Sequence, residues 1–337
     1  MLNQRKEKLA LITTILVFFL LSVTTGYCGT QKLKLGFVTA ANEKDPYYIT
    51  AKKFSELVQE YTDGRYEIDL FGGGQLGNES EMIKNLTMGT MDAGVITNAP
   101  VGSFVNAFMV LDLPFIFPSG EVAHTVLDGS AGTFLLKKLS RLQITGLAFS
   151  EGGFRHMINN TKPVKIPEDL KNVKYRVMKT PIYIGMFKSF GANAVPMPWG
   201  EVFSAVQQKV VDGLEIPIPV IYANKFYEVT KYLSLTGHTY SPLIIMVSNN
   251  TWKKLSLSDR QAFTKAAKEA AVYERAEIAK IVKNFIEDLK KEGMLVNEIS
   301  NKKPFQSLVG PMYKDFENKI GADVIKKVLS ARNDAQK

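Results

Sequence analysis

A chain of 337 residues is about twice the length of a typical domain, which predicts two medium domains, each with its own core. With 45% apolar and 22% charged residues the composition is that of a globular protein and excludes disordered and fibrous classes. The formal charge of +9, from 42 basic and 33 acidic residues, suits nucleic acid, an anionic membrane or small anionic solutes; no basic run carries interleaved aromatics, so nucleic acid ranks last and is not expected as a partner.

Residues 1–28 have the layout of a secretory signal peptide: Arg5, Lys6 and Lys8 precede an apolar run from Leu9 to Val23, followed by Thr24, Thr25 and Gly26. The run falls short of the about 20 residues a membrane span needs. Cleavage and a periplasmic location are therefore expected, ahead of an uncleaved anchor or a lipoprotein. Cys28, the only cysteine, stands where a lipidated residue would, but Tyr27 is too large for such a cleavage site, and one cysteine builds no disulfide framework. Removing three basic residues and one acid with this segment leaves +7.

From Lys32, "KLKLGFVTAA" reads as a strand, and "YITAKKFSELVQEYTDG" as a helix with Phe54, Leu57, Val58 and Tyr61 on one face and Gly64 as its stop. "RYEIDLF" alternates as a second strand. Asn78 with Glu81 three residues later predicts a capping box opening a helix that ends near Gly89, and "MDAGVITNA" is the next strand. A helix is expected within 120–143 and a strand in "ITGLAFS". The Gly-, Pro- and Asn-rich stretch 151–170 reads as a break between lobes. Beyond it come a strand "VKYRVM" with Arg176 opposite the apolar face of Val173, Tyr175 and Val177, a helix "PIYIGMFKSFG", a strand "NAVPM", and a helix "GEVFSAVQQKVVDG" with Val202, Phe203, Val206 and Val210 inward. A second lobe crossing is expected around 235–250, and Asp259 to Glu292 reads as one long helix. Strands and helices in this alternation define an α/β class.

Residues 71–81, "FGGGQLGNESE", contain Gly72, Gly74 and Gly77 at dinucleotide-loop spacing, with Asp92 about 20 residues on, where a ribose hydroxyl would want an acid. Against a cofactor, the preceding strand alternates charged and apolar residues, whereas a dinucleotide strand is buried on both faces. Asp92 also begins a strand instead of ending one. Glycines turning into a capped helix explain the motif better, and no cofactor is expected. His124, His156 and His238 lack metal-ligand spacing, no calcium or sodium loop is visible, and no Gly-x-Ser-x-Gly elbow occurs. No metal site and no enzyme is predicted.

The blocks "QLG", "LPF", "GGFRHM", "VKYRV", "PMPWGEV" and "VDGLEIP" occur in that order, and through them nearly all of the chain after residue 30 resembles the solute-binding proteins of TRAP (tripartite ATP-independent periplasmic) transporters, the DctP family. The resemblance implies a two-lobed periplasmic solute-binding protein fold with hinge crossovers and a long helix spanning both lobes. Lobe 1 would comprise 30–152 plus 241–281, and lobe 2 would comprise 153–240 plus 282–337. It implies a protein that closes on a small organic acid and delivers it to the membrane subunits of the transporter. An exported sensing module feeding a membrane receptor is the runner-up, and an exported enzyme acting on acidic substrates ranks below that.

By this resemblance Arg176 is the main carboxylate clamp. The chemistry agrees, since a guanidinium offers two parallel donors to a carboxylate. Arg155 would be a second basic residue of the cleft, with a hinge ion pair as its bland alternative. Trp199 would cover the ligand's apolar body, and Glu215 would accept a ligand hydroxyl or orient Arg176, with core packing and a structural role as their respective rivals. Ile216 stands where the family often has a polar or aromatic residue, which disfavours a densely hydroxylated sugar acid and favours a carboxylate with a sizeable apolar part. Glu79, Thr97 and Asn98 are first-lobe candidates, although acids are favoured in a helix's first turn in any case. Tyr240 is placed at the cleft with even odds against a core position.

Overall fold

A computed structural model describes residues 29–337. The expected signal segment and Cys28 lie outside the described residues. Among the described residues, nine strands form one mixed sheet in the order β2-β1-β3-β8-β4-β7-β5-β6, with β9 paired to β8. The strands are β1 (Gln31–Gly36), β2 (Tyr66–Phe71), β3 (Ala93–Thr97), β4 (Ile144–Asn159), β5 (Lys174–Val177), β6 (Asn193–Pro196), β7 (Gly213–Pro217), β8 (Tyr232–Ser248) and β9 (Leu295–Glu298).

The two-lobed arrangement follows from β4 and β8, at 16 and 17 residues far longer than the others. They pair antiparallel from Ile144 opposite Ser248 to Asn159 opposite Tyr232. One end of this ribbon carries β3 on β8, extending through β1 to the alternating edge strand β2; the other end carries β7 on β4, extending through β5 to β6, with β9 on the β8 side. The ribbon crosses between lobes where its register slips, at Glu151/Gly153 and Arg155/Met157. Gly153 there has φ +102, a conformation that side chains rarely adopt. The sequence break expected at 151–170 thus begins only at Asn160: cross-strand pairing to β8 carries the chain through its glycines as strand.

Helices cover both faces. In the first lobe are α1 (Pro46–Tyr61), α2 (Glu79–Met88), α3 (Asn98–Phe104), α4 (Gly120–Asp128) and α5 (Ser130–Lys138). Asn78 and Glu81 form the predicted capping box, with Asn78 N–H donating to Glu81 at 2.8 Å and Glu81 N–H to Asn78 at 3.2 Å; Gly89 closes α2 in the left-handed region. The single helix expected within 120–143 is two, broken at Gly129, because Gly132 packs directly against the carbonyl of Leu127 at the end of α4. The second lobe adds α6 (Pro181–Ser189), α7 (Trp199–Gln207) and α8 (Ile218–Ala223). Because α7 stops at Gln207, Val210 is exposed instead of facing inward, whereas Val202 and Val206 are buried as expected.

After the short α9 (Asn249–Trp252), α10 (Leu257–Lys291) runs for 35 residues, about 50 Å. It packs on α1 and β4 and, further along, on α8 and β9. Its inner stripe holds Ala266, Ala267, Ala270 and Ala271, whose small side chains let it lie close to the sheet. The chain then continues through α11 (Lys303–Val309), α12 (Met312–Asp315), α13 (Glu317–Ile320) and α14 (Ala322–Asp334). The expected boundary put all of 282–337 with the second lobe. α11 and α12 pack on α6 of that lobe, whereas α14 packs on α4 and α5 of the first lobe. Arg332 donates to the carbonyl of Ile116, tying the tail to that lobe. No helix among the described residues is long and apolar enough to cross a membrane.

Gly213 explains the glycine of "VDGLEIP". A Cβ there would lie 2.3 Å from the carbonyl of Ile158 on β4, where backbone meets backbone. Gly213→Ala is therefore expected to cost about 1–3 kcal/mol. A urea titration with an unchanged midpoint would contradict this packing.

Candidate functional site

The parallel strands β1 and β3 of one lobe, and β5, β6 and β7 of the other, present their carboxyl ends to a common cleft. Ligands bind outside such strand ends in open α/β sheets. The cavity there is narrow, with a volume of about 30 Å³. Val38 and Thr39 follow β1, Thr97 ends β3, Met178 follows β5, Trp199 follows β6, and Ile216 and Pro217 end β7. The crossing ribbon adds Gly152, Arg155 and Ser241, and the helices α1, α2 and α8 add Tyr47, Glu79 and Val220.

Two guanidinium groups are buried here and have unlike partners. Arg155 is held by Glu215, which accepts from its Nε and Nη2 and also offers its carbonyl to Nη2, while Nη1 donates to Ser241 at 3.2 Å. Glu215 is fully buried and also lies 3.4 Å from His238 Nε2. Burial works to raise its pKa, but Arg155 and His238 outweigh that and hold it below the ordinary value. Arg176 is 3% exposed, and its Nε and Nη2 donate to the carbonyl of Met197 at 3.0 and 2.7 Å. It has no ion pair with any described residue. Burial pulls its pKa down to about 10, opposed by the charge of Glu215 and reinforced by that of Arg155.

Opposite Arg176, half-buried Glu79 accepts from the backbone N–H of Thr97 at 2.9 Å. Burial pushes its carboxyl up to about 7 against that bond and against the charges of Arg176 and Arg155. Thr97 meets Ser241, hydroxyl to hydroxyl, at 3.0 Å. The cavity thus has a polar side of Thr39, Tyr47, Glu79, Thr97 and Ser241, and an apolar side of Met178, Trp199, Ile216, Pro217 and Val220.

Of the nine residues singled out in the sequence, six line the cavity: Arg176, Arg155, Trp199, Ile216, Glu79 and Thr97. The other three are buried outside its lining. Glu215 stands behind Arg155 and is tied to it, not to Arg176. Asn98 is buried under α3 and donates to the carbonyl of Phe108 at 2.9 Å. Tyr240 is enclosed by the rings of Phe117, Phe154 and His124. On β8 its neighbours Thr239 and Ser241 point to the opposite face, and it is Ser241 that reaches the cavity.

The glycine loop at 72–77 is used up structurally. Gly73 and Gly74 N–H donate to the carbonyls of Thr39 and Phe37, Gly77 N–H to that of Gly74, and Asp92 is engaged by Lys34 N–H and the Thr251 hydroxyl. The amides of Gly73, Gly74, Gln75 and Gly77 are thus engaged within the protein and do not form a pyrophosphate cradle. Among the described residues no group of three His, Cys, Asp or Glu side chains has metal-site geometry.

Residues 37–319 match the family described as bacterial extracellular solute-binding protein, family 7 (DctP). The chain belongs to this family. A 2,3-diketo-L-gulonate-binding periplasmic protein of Escherichia coli K12 is 36% identical over 312 residues, 92% of this chain and 94% of that protein. Among solved structures, the sugar acid binding protein of Advenella mimigardefordensis in complex with galactonate aligns with a TM-score of 0.88 at 33% identity, covering 91% of this chain and 99% of that one. A TRAP periplasmic solute-binding protein from Polaromonas sp. JS666 bound to D-erythronate aligns at 0.85 and 38% identity, covering 89% and 98%.

As a DctP-family member, the chain carries cavity residues that motif reading missed: Thr39, Tyr47, Ser241, Met178 and Val220. Strand direction was the available signal for two of them, since Met178 directly follows β5 and Thr39 lies three residues past β1.

The buried Arg155–Glu215 pair makes a stability prediction. Glu215→Gln leaves Arg155 buried without its counter-charge and is expected to cost about 3–5 kcal/mol at neutral pH. Because Glu215's folded pKa lies below its ordinary 4.5, its contribution is complete above that value and is lost as pH falls through the folded pKa. Denaturation curves of variant and wild type should therefore converge in acid; a gap that widens there would refute the assignment.

Proposed function

We propose that this protein captures a small hydroxylated carboxylate in the interlobe cavity and presents it, with the lobes closed, to the membrane subunits of a TRAP transporter. Residues 1–28 would direct it to the periplasm. The observation that carries this reading is Arg176, a buried cation whose partner among the described residues is a carbonyl and not a carboxylate, at a cavity lined by the strand ends of both lobes. A ligand carboxylate on its free donors supplies the missing anion and two parallel charge-assisted hydrogen bonds. Arg155, already neutralised by Glu215, is better suited to a single supporting hydrogen bond.

The two-sided lining supports a ligand with one hydroxylated edge, toward Glu79, Thr97 and Tyr47, and one apolar edge, toward Met178, Trp199 and Ile216. This refines the expectation of a largely apolar acid: the hydroxyl-bearing side chains favour a short hydroxy acid over a purely aliphatic one, and Ile216 limits how many hydroxyls are matched. Closure is a population shift, because the ligand binds the arrangement in which both lobes contact it better than any open one.

A thermal-shift screen followed by calorimetry, using D-erythronate, D-galactonate, succinate and purely aliphatic acids, tests this. Stabilisation by carboxylates that disappears in Arg176→Ala is expected. Undiminished binding by that variant, or no binding by wild type, would overturn the reading.

Glu79 adds a pH dependence. Its carboxyl, at about 7, takes up a proton as pH falls from 8 to 6, which removes a negative charge from an anion site. Carboxylate affinity should therefore tighten severalfold over that range, and Glu79→Gln should flatten the profile. A wild-type affinity independent of pH would show that Glu79 does not face the bound acid.

A further inference from the structure

We infer that Asn224 and Asp45 form an interlobe latch that closes the cavity without touching its contents, so that they set the affinity for every ligand by a common factor. This rests on the reading of the cavity as a ligand site. Asp45 caps α1 in the first lobe and is fully buried. Asn224 caps the end of α8, whose Val220 and Ile221 belong to the second lobe's core with Leu214 and Leu233. Across the gap, Asn224 Nδ2 donates to Asp45 Oδ2 at 2.9 Å, and its Oδ1 accepts from Ala40 N–H at 3.3 Å. Asn42 Nδ2 donates to the carbonyl of Ala223 at 3.2 Å, and the Lys44 ammonium lies 4.6 Å over the Tyr222 ring.

Neither Asp45 nor Asn224 lines the cavity, yet both are one bond from residues that do. Asp45 Oδ1 accepts from the Thr39 hydroxyl at 2.7 Å and from Tyr47 N–H at 2.9 Å, and Asn224 Nδ2 also donates to the carbonyl of Val220 at 3.1 Å. The single carboxylate of Asp45 therefore holds the Thr39 hydroxyl and the backbone amide of Tyr47, both of the polar wall, on one oxygen and the opposite lobe on the other. When the lobes part, the bonds from Asn224 and Ala40 are lost while those from Thr39 and Tyr47 persist. A contact formed only in the closed arrangement raises the closed population, and apparent affinity scales with that population whatever the ligand.

The test compares wild type with Asn224→Ala and Asn224→Asp, the second of which sets a like charge against Asp45. Binding of D-erythronate and D-galactonate is measured by calorimetry, and release by the fluorescence of Trp199, which lines the cavity. Losing a hydrogen bond to a charged group is expected to weaken Asn224→Ala by about tenfold, equally for each acid that wild type binds, and mainly through faster release. Asn224→Asp should lose more, and Asp45→Asn combined with Asn224→Ala should lose less than the sum of the two separately. Wild-type affinity in both Asn224 variants, or a loss confined to one acid, overturns the latch. If wild type binds neither acid, it is the carboxylate reading that fails, and small-angle scattering of the unliganded proteins still decides: a larger radius of gyration in Asn224→Asp supports the latch, and equal radii refute it.

Discussion

Two guanidinium groups are buried at the cavity, and among the described residues one carboxylate is bonded to them. Glu215 is committed to Arg155 through two donors and its own carbonyl, leaving Arg176 with the carbonyl of Met197 alone. Removing an ion from water costs several kcal/mol unless a counter-charge and hydrogen bonds compensate. A protein selected only for stability would replace Arg176 with an apolar residue or pair it internally. Its retention makes sense if an anion from outside completes the site, and the division of labour follows: one arginine is structural and constant, the other is open to exchange. Lysine would serve poorly, because it loses its charge more readily on burial and lacks the two-pronged geometry.

The fold delivers these groups by a simple rule of direction. Parallel strands in both lobes aim their carboxyl ends at one cleft, so short post-strand segments such as Val38–Thr39 and Met178 face it without any special loop. The antiparallel ribbon of β4 and β8 crosses between the lobes and contributes Arg155 and Ser241 from near its midpoint, where the register slips. Residues at that point feel both lobes. The alanine stripe of α10 lets the long helix lie close to β4, and further along the helix reaches α8 and β9, so the lobes share a continuous support.

Local chemistry made much of this legible in sequence. The capping box at Asn78, the buried run of β3 and the length of α10 are short-range or strongly periodic signals, and each is seen in the structure. Failures came where tertiary context prevails over local pattern. Gly152 and Gly153 mimic a loop because nothing in the sequence declares that β8 pairs across them. Gly129 splits a helix because α5 folds onto α4, a contact that periodicity does not contain. Tyr240 and Ser241 are adjacent, and a strand's alternation sends one to the core and the other to the cavity; choosing between them required the register. Of the roles open to Glu215 in the sequence, hydroxyl acceptor, orienter of Arg176 or structural partner, the structure bonds it to Arg155, because Arg155 lies opposite Pro217, and Glu215 opposite Met157, in a pairing that only the fold reveals. Thr39, Tyr47 and Ser241 carry no motif, because hydroxyls acquire a role from position alone.

The chemistry of Asp45 and Asn224 bears on how such a protein must balance capture against release. A lysine or arginine in place of Asn224 would give a buried ion pair, and breaking one leaves two uncompensated charges, which would hold an empty protein shut. An amide against a carboxylate is weaker and leaves no cation behind when the lobes part. Asp45 itself stays satisfied in that event by Thr39 and the amide of Tyr47. On the proposed reading, a neutral partner biases closure without dictating it, and leaves the larger share of the decision to the anion proposed to bind at Arg176. The two contacts act on the same equilibrium from opposite ends: one is present in every closed molecule, the other only in those that have found a ligand.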